Sequence, residues 1–86
     1  MRIAVAQMES GADRDANLAE IRRLAEQGAD AGATLLCLPE SCLYRGEPCP
    51  DMVESDDGPG LRELATIAAQ FRIEIVAGGV WTPGSE

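Results

Sequence analysis

The chain has 86 residues and a formal net charge of −8, and its seven basic residues are all arginine. A chain of this length builds one small domain with a thin apolar core. The acidity argues against nucleic acid and anionic membranes as partners, because both repel a negatively charged surface. Histidine is absent from the sequence, which excludes His-dependent catalytic triads and His-ligated metal within these residues. No cofactor or metal site is predicted.

The first predicted strand runs from Arg2 to Met8 and contains the apolar run Ile3 to Ala6. That run is far too short for the apolar part of a signal peptide or for a membrane span. The segment from Glu9 to Asp15 is polar and contains a glycine, which indicates a loop.

A helix is predicted from about Ala16 to Asp30. Asp13 or Asp15 is a suitable N-cap, and Asn17 with Glu20 has the spacing of a capping box. Apolar and small residues recur at helical spacing and predict the buried face. The residues on that face are Leu18, Ile21, Leu24, Ala25 and Gly28.

The second predicted strand, Thr34 to Leu38, is uncharged and suits a strand that is buried on both faces. Gly32 before it is a natural helix C-cap. Pro39 after it cannot donate to a sheet ladder, so the chain leaves the sheet there. A β-α-β unit makes the two strands parallel, so their ends at Gln7 and Pro39 are expected at the same edge.

Glu40 directly follows this second strand. Ligands bind at the carboxyl ends of the strands of an open α/β sheet, where a carboxylate is well placed for chemistry. A solvated loop residue or a cap for the next turn is an equally simple role, and from the residues alone it is the more frequent one.

The remaining chain predicts a loop, a helix and a strand. Ser41 to Gly60 is a long acidic loop without the ligand pattern of a calcium site, so we expect it to be a solvated loop. Helix two starts near Pro59, a good first-turn residue, and strand three is Ile73 to Val80. The pair Gly78–Gly79 is only a weak indication of a phosphate-binding turn. The expected buried face of helix two consists of Leu61, Leu64, Ala65, Ala68 and Phe71.

Three cysteines occur, and their spacing fits no zinc pattern. Reduced thiols in a cytoplasmic protein are the simplest explanation. Cys37 is expected to be a small core residue. Cys42 and Cys49 fall in the long loop, where either can be reactive, although Arg45 is the only nearby cation that would lower a thiol pKa.

Five segments in this order resemble the N-terminal part of the nitrilase superfamily of carbon–nitrogen hydrolases. They are RIAVAQM at the start, Asn17-Leu18, GATLLCLPE at 32–40, GPGLRELATIAAQF at 58–71 and then IEIVAGGV. The resemblance runs from Arg2 to about Trp81. It implies that residues 1–86 are the N-terminal β-α-β-α-β portion, a single partial domain, of an αββα sandwich of the α/β class.

The resemblance also implies a function. The family hydrolyses amide, nitrile or ureido groups of small molecules with a Cys-Glu-Lys triad, and usually assembles as homo-oligomers. The family's glutamate, the general base, corresponds to Glu40. The lysine and the nucleophilic cysteine are expected beyond residue 86, so the 86 residues alone are expected to be inactive. The loop after Glu40 departs from the family pattern, because Tyr44 precedes Gly46 here.

Two other interpretations stay open. The chain can be a small non-catalytic α/β module, or an inactive remnant, that binds a partner through an exposed sheet edge and face. A nucleotide-binding β-α-β fragment is a weaker alternative, because residues 8–11 (Met-Glu-Ser-Gly) do not form the glycine-rich turn that it needs.

Overall fold

The computed structural model describes residues 1–39, 42–45 and 58–77. These residues form three short strands and two helices in the order β-α-β-α-β, as predicted. The elements are β1 (Ile3–Val5), α1 (Arg14–Asp30), β2 (Leu35–Cys37), α2 (Pro59–Phe71) and β3 (Glu74–Val76).

The three strands form one parallel sheet in the order β1-β2-β3. In register, Ala4 of β1 lies beside Leu36 of β2, and Leu36 lies beside Ile75 of β3. The strands are shorter than predicted, although backbone bonds such as Ala6 N–H to Cys37 O, at 3.0 Å, continue the ladder beyond their ends. The last predicted residues of strand three, 78–80, lie outside the described residues.

Both helices cover the same face of the sheet. Leu36 of the sheet, Ile21 and Ala25 of α1, and Leu64 and Ile67 of α2 belong to one buried cluster. Full burial of a side chain such as Ile21 or Ile67 contributes about 1.5–3 kcal/mol. On α2 the buried positions differ from those predicted, because Ile67 is buried and Ala65 is exposed.

The other face of the sheet is uncovered in the described part of the chain. Ile3 is 53% exposed, Val5 78% and Val76 54%. Leu35 and Cys37 of β2 point to the same side and are only half-buried. The expectation of a strand buried on both faces is therefore wrong for these residues, because both crossover helices lie on one side.

Local chemistry sets the ends of α1. Asp13 is the N-cap, and its Oδ1 accepts from the Ala16 N–H at 3.1 Å. The predicted capping box at Asn17 and Glu20 is wrong, since both residues lie within the helix. At the other end Gly32 has φ +86°, the left-handed conformation that favours glycine. The Ala33 N–H donates to Gly28 O at 2.9 Å, which closes the predicted glycine C-cap.

α2 begins with Pro59 in its first turn, as predicted, and ends at Arg72. Arg72 has φ 54°, a left-handed conformation that costs a residue with a Cβ about 1–2 kcal/mol. Neither helix in the described part of the chain has the length and apolar character needed to cross a membrane.

We expect Arg72→Gly to raise the free energy of unfolding by about 0.5–1 kcal/mol, because glycine adopts the left-handed conformation without a Cβ penalty. Denaturant titration measures the change. Arg72→Ala is the matched control, since it removes the same side chain but keeps the Cβ. An equal gain from alanine would show that the guanidinium, not the backbone conformation, is the cause.

Gly28 of α1 lies over β1, where an added Cβ would be 3.4 Å from Ala4 Cβ and 3.7 Å from Ile73 Cδ1. These are ordinary contact distances, so Gly28→Ala is expected to stabilise the protein by about 0.5–1 kcal/mol through helix propensity. Gly28→Leu has no such room and is expected to destabilise it by about 1–3 kcal/mol. Thermal and denaturant unfolding measure both effects, and a loss of stability with alanine would contradict the observed spacing.

Candidate active site

A cleft of about 600 Å³ opens where β1 and β2 end. The residues after β1 form one side of it, Pro39 after β2 forms another, and a side chain of α1 completes it. Gln7 and Pro39 therefore open at the same edge of the sheet, which confirms the prediction from the β-α-β unit. The lining residues are Ala6, Gln7, Met8, Glu9, Glu20 and Pro39.

Glu40, the catalytic residue expected from the sequence, directly follows Pro39 but lies outside the described residues. Its assignment as the general base therefore stays a prediction. The described residues before Glu40 show how the chain reaches the cleft. Leu38 is buried at the end of β2, and its N–H donates to Val76 O at 2.8 Å. The position of Pro39 at the cleft is thus fixed by the sheet itself.

A different carboxylate, Glu20 of α1, is at the rim of this cleft. Arg23 donates to both of its oxygens, with Nη2 to Oε1 at 2.5 Å and Nε to Oε2 at 3.0 Å. These hydrogen bonds, and then the charge of Arg23, hold the pKa of Glu20 below its usual range. Glu20 is therefore a poor proton acceptor at neutral pH.

Residues 42–44 are buried against the rest of the protein, whereas Arg45 is exposed. Cys42 is fully buried, Leu43 is 2% exposed and Tyr44 is also buried. The expectation that the whole segment from Ser41 to Gly60 is a solvated loop is wrong for these residues. The rest of that segment up to residue 57, with its acidic side chains and Cys49, lies outside the described residues.

Burial decides the chemistry of Cys42. Desolvation raises the pKa of its thiol, and hydrogen bonds from the backbone of Cys42 and Leu43 offset this only in part. The thiol is consequently protonated and inaccessible at neutral pH. Cys37 differs from its prediction as a core residue, because it is half-buried on the uncovered face of the sheet.

Asn17 of α1 is the buried polar residue that connects the loops beside the cleft. Its Nδ2 donates to Gly11 O and to Leu43 O, both at 2.9 Å, and its Oδ1 accepts from the Gly11 N–H at 3.0 Å. The Arg45 N–H also donates to Gly11 O at 2.9 Å. One carboxamide therefore links the loop after β1, helix α1 and the segment 42–45.

The sequence singled out Asn17 as a capping residue and as part of the family resemblance, but not as a buried residue that links two loops. The signal of its burial was present, because Asn17 shares a helix face with Ile21 and Gly28 at helical spacing. A polar residue on an apolar face has to be hydrogen-bonded once it is buried.

The other candidate features do not indicate a functional site in the described residues. Among the described residues, no three Cys, Asp or Glu side chains come together as a metal site. A groove of about 430 Å³ between α1 and α2 is crossed by the ion pair of Arg22 and Glu63, whose Nη2 and Oε1 are 2.7 Å apart. The possible phosphate turn at Gly78–Gly79 lies outside the described residues.

Comparisons with known proteins identify the family to which this chain is similar. A family model described as carbon-nitrogen hydrolase matches residues 2–83. The chain is 40% identical over 84 residues to "Hydrolase MT0498" of Mycobacterium tuberculosis strain CDC 1551 / Oshkosh, covering 96% of this chain and 30% of that protein. "Hydrolase Rv0480c" of strain ATCC 25618 / H37Rv is similar to the same extent.

A third relative is the "Nitrilase and fragile histidine triad fusion protein NitFhit" of Drosophila melanogaster, which is 35% identical over 81 residues. That match covers 91% of this chain and 18% of the fusion protein. The chain thus spans about a third or less of the length of these relatives. The family match includes every strand and helix described above and confirms the resemblance found in the sequence. The chain belongs to the carbon-nitrogen hydrolase family.

Proposed function

We propose that the chain is the N-terminal part of a carbon–nitrogen hydrolase domain that acts on non-peptide C–N bonds of small molecules. Amides, nitriles and ureido compounds are the substrate classes. Catalysis uses a Cys-Glu-Lys triad, in which Glu40 is the general base. The chain has no lysine, so the complete domain supplies both the lysine and the nucleophilic cysteine.

Each group in this triad has a distinct task. A thiol near its free pKa is mostly protonated at neutral pH, and a neighbouring carboxylate activates it by accepting its proton. The thiolate then attacks the carbonyl or nitrile carbon. The lysine ammonium stabilises the negative charge that develops on the substrate oxygen or nitrogen. With an amide or ureido substrate, Glu40 returns the proton to the leaving nitrogen as the C–N bond breaks, and water then hydrolyses the thioester, which restores the thiol. With a nitrile, the proton goes to the nitrogen of the thioimidate that forms. One water then replaces that nitrogen, which leaves as ammonia, and a second water hydrolyses the resulting thioester.

The observation that carries the proposal is the path of β2 into the cleft. β2 is the central strand, and Pro39 lies in the cleft wall one residue before Glu40. Glu20, the described carboxylate of α1 at the same cleft, is paired with Arg23 and is unsuited to proton transfer. The family match over residues 2–83 supports the same assignment.

The proposal extends to the setting of the enzyme. The substrate is a small molecule held by the complete domain, and the full-length protein is a homo-oligomer in the cytoplasm. Neither nucleic acid nor a membrane surface is a partner, because the net charge of −8 repels phosphate groups. The second sheet of the αββα sandwich would cover the apolar face that bears Val5 and Val76.

A non-catalytic binding module is the second candidate. The exposed side chains of Ile3, Val5 and Val76 favour it, because an apolar sheet face needs a partner. Turnover of any amide, nitrile or ureido substrate by the complete protein would eliminate this alternative. If the complete protein lacks turnover but binds a macromolecule through this face, the hydrolase proposal is wrong.

We expect Glu40→Gln in the complete enzyme to lower kcat by about 10²–10⁴, because glutamine cannot accept the thiol proton. The melting temperature should stay close to that of the wild type. Steady-state kinetics on a panel of amides and nitriles, with thermal unfolding in parallel, measure both effects. Glu26→Gln is the matched control, since Glu26 is an exposed carboxylate of α1. Wild-type turnover by Glu40→Gln would sink the assignment of the base.

We expect Cys42→Ala to keep turnover, because a buried, protonated thiol is not the nucleophile. The same burial predicts a pH effect. The unfolded thiol ionises near pH 8.5 while the folded one stays protonated, so wild-type stability falls as the pH rises above about 8.5. Cys42→Ala should lose this part of the slope in denaturant titrations between neutral and alkaline pH. An inactive but folded Cys42→Ala enzyme would contradict this interpretation.

A further inference from the structure

We propose that Asn17 is a positioning residue for the active site, and that it acts by holding the backbone of Leu43. This inference rests on the proposed function, in which Glu40 is the general base. Asn17 itself does not contact the substrate. It acts through Leu43, which is three residues beyond Glu40 in the chain.

The hydrogen bonds of Asn17 use its whole carboxamide. Nδ2 donates to Gly11 O and to Leu43 O, and Oδ1 accepts from the Gly11 N–H, at distances between 2.9 and 3.0 Å. Asn17 is 5% exposed, so water does not replace a lost partner easily. The Arg45 N–H adds a backbone bond to the same Gly11 carbonyl. The two loops are therefore held as one unit by α1.

These bonds join the two loops that follow β1 and β2. The two loops leave the carboxyl ends of β1 and β2, the strand ends between which the cleft opens. Before Glu40, Pro39 restricts the backbone through its ring. After Glu40, the side chain of Leu43 is buried in the core while its carbonyl is bound by Asn17. The described backbone is thus restrained at Pro39 before the base and at Leu43 after it, and the second restraint depends on Asn17.

A base has to lie within hydrogen-bond reach of the proton that it removes, and a displacement of about 1 Å can cost a factor of 10² in rate. Loss of the bond to Leu43 O frees the segment that follows the base. The expected consequence is a lower kcat, with substrate binding little changed.

The test uses Asn17→Asp in the complete enzyme. Aspartate has nearly the same shape and still accepts from the Gly11 N–H, but it cannot donate to the carbonyls of Gly11 and Leu43. Ile21→Val is the matched control. Ile21 is fully buried one turn further along the same face of α1, and its truncation destabilises the core packing without removing a hydrogen bond of the loops.

The first readout is hydrogen exchange of single amides, which does not depend on catalysis. In Asn17→Asp the Arg45 amide should exchange faster by about tenfold or more while the Gly11 amide stays protected, because only the donor bonds are lost. In Ile21→Val the amides of Gly11 and Arg45 should both exchange at close to the wild-type rate. Unchanged protection of Arg45 in Asn17→Asp would overturn the proposal.

The second readout is kinetic, at a temperature well below the melting point of each variant. Asn17→Asp should lower kcat by about 10–100-fold with KM near the wild-type value, whereas Ile21→Val should stay near wild type in both. If both variants lost kcat equally, Asn17 would contribute only to stability, and the proposed positioning role would be wrong. Asn17→Ser replaces Asn17→Asp if aspartate does not fold, and failure of both to fold overturns the proposal, since Asn17 would then serve the fold as a whole.

Glu40→Gln measured in parallel separates this inference from the proposed function. An inactive Glu40→Gln with an Asn17→Asp that keeps wild-type kcat overturns only the role of Asn17. An active Glu40→Gln overturns the base assignment, and with it the clause that Asn17 acts through the base. In that case faster Arg45 exchange together with a lower kcat would still support a positioning role for Asn17 at this cleft.

Discussion

β2 is the central strand of a parallel sheet, and its pairing with both neighbours constrains the rest of the molecule. Parallel strands cannot be joined by a tight turn, so each connection has to cross over the sheet. Both crossovers carry a helix, and both helices pack on the face that contains Leu36. This arrangement creates the core and brings the ends of β1 and β2 to one edge. The cleft follows from strand pairing alone, before any polar side chain is considered.

The same arrangement leaves the opposite face bare in the described residues. The apolar side chains of Val5 and Val76 have a packing partner only if another layer covers them, and the family fold implies such a layer. Such a layer would explain why the sequence of β2 is typical of a strand that is buried on both faces. The described residues cover only one of the two faces of β2.

Local chemistry made much of the fold predictable. Asp13 caps α1, Gly32 ends it in the left-handed conformation and Pro59 starts α2, and each effect depends only on neighbouring residues. The strand order and its parallel sense followed from the β-α-β connection. The regular strands are shorter than their apolar runs, although single backbone bonds extend the ladder beyond both ends.

The parts that sequence reasoning missed depend on distant contacts. The burial of residues 42–44 and the bond between Asn17 and Leu43, which are 26 residues apart, depend on contacts that no local pattern encodes. Glu40 was identified by resemblance to a family, since its position after a strand does not distinguish a base from a loop residue. Glu20 shows the complementary case, because only its contact with Arg23 reveals that it is unsuited to proton transfer.

The C-terminus of α1 has a practical consequence for handling the protein. α1 has no basic residue in its last turn, and Arg2 supplies one from outside, with Nη1 donating to Ala31 O at 2.5 Å. Met1 next to it is 96% exposed. At about 3.3 Å per residue, Met1 lies roughly 16 Å from Ala6 in the cleft wall. A fluorescent label at position 1 therefore projects away from the cleft, provided that Arg2 is kept.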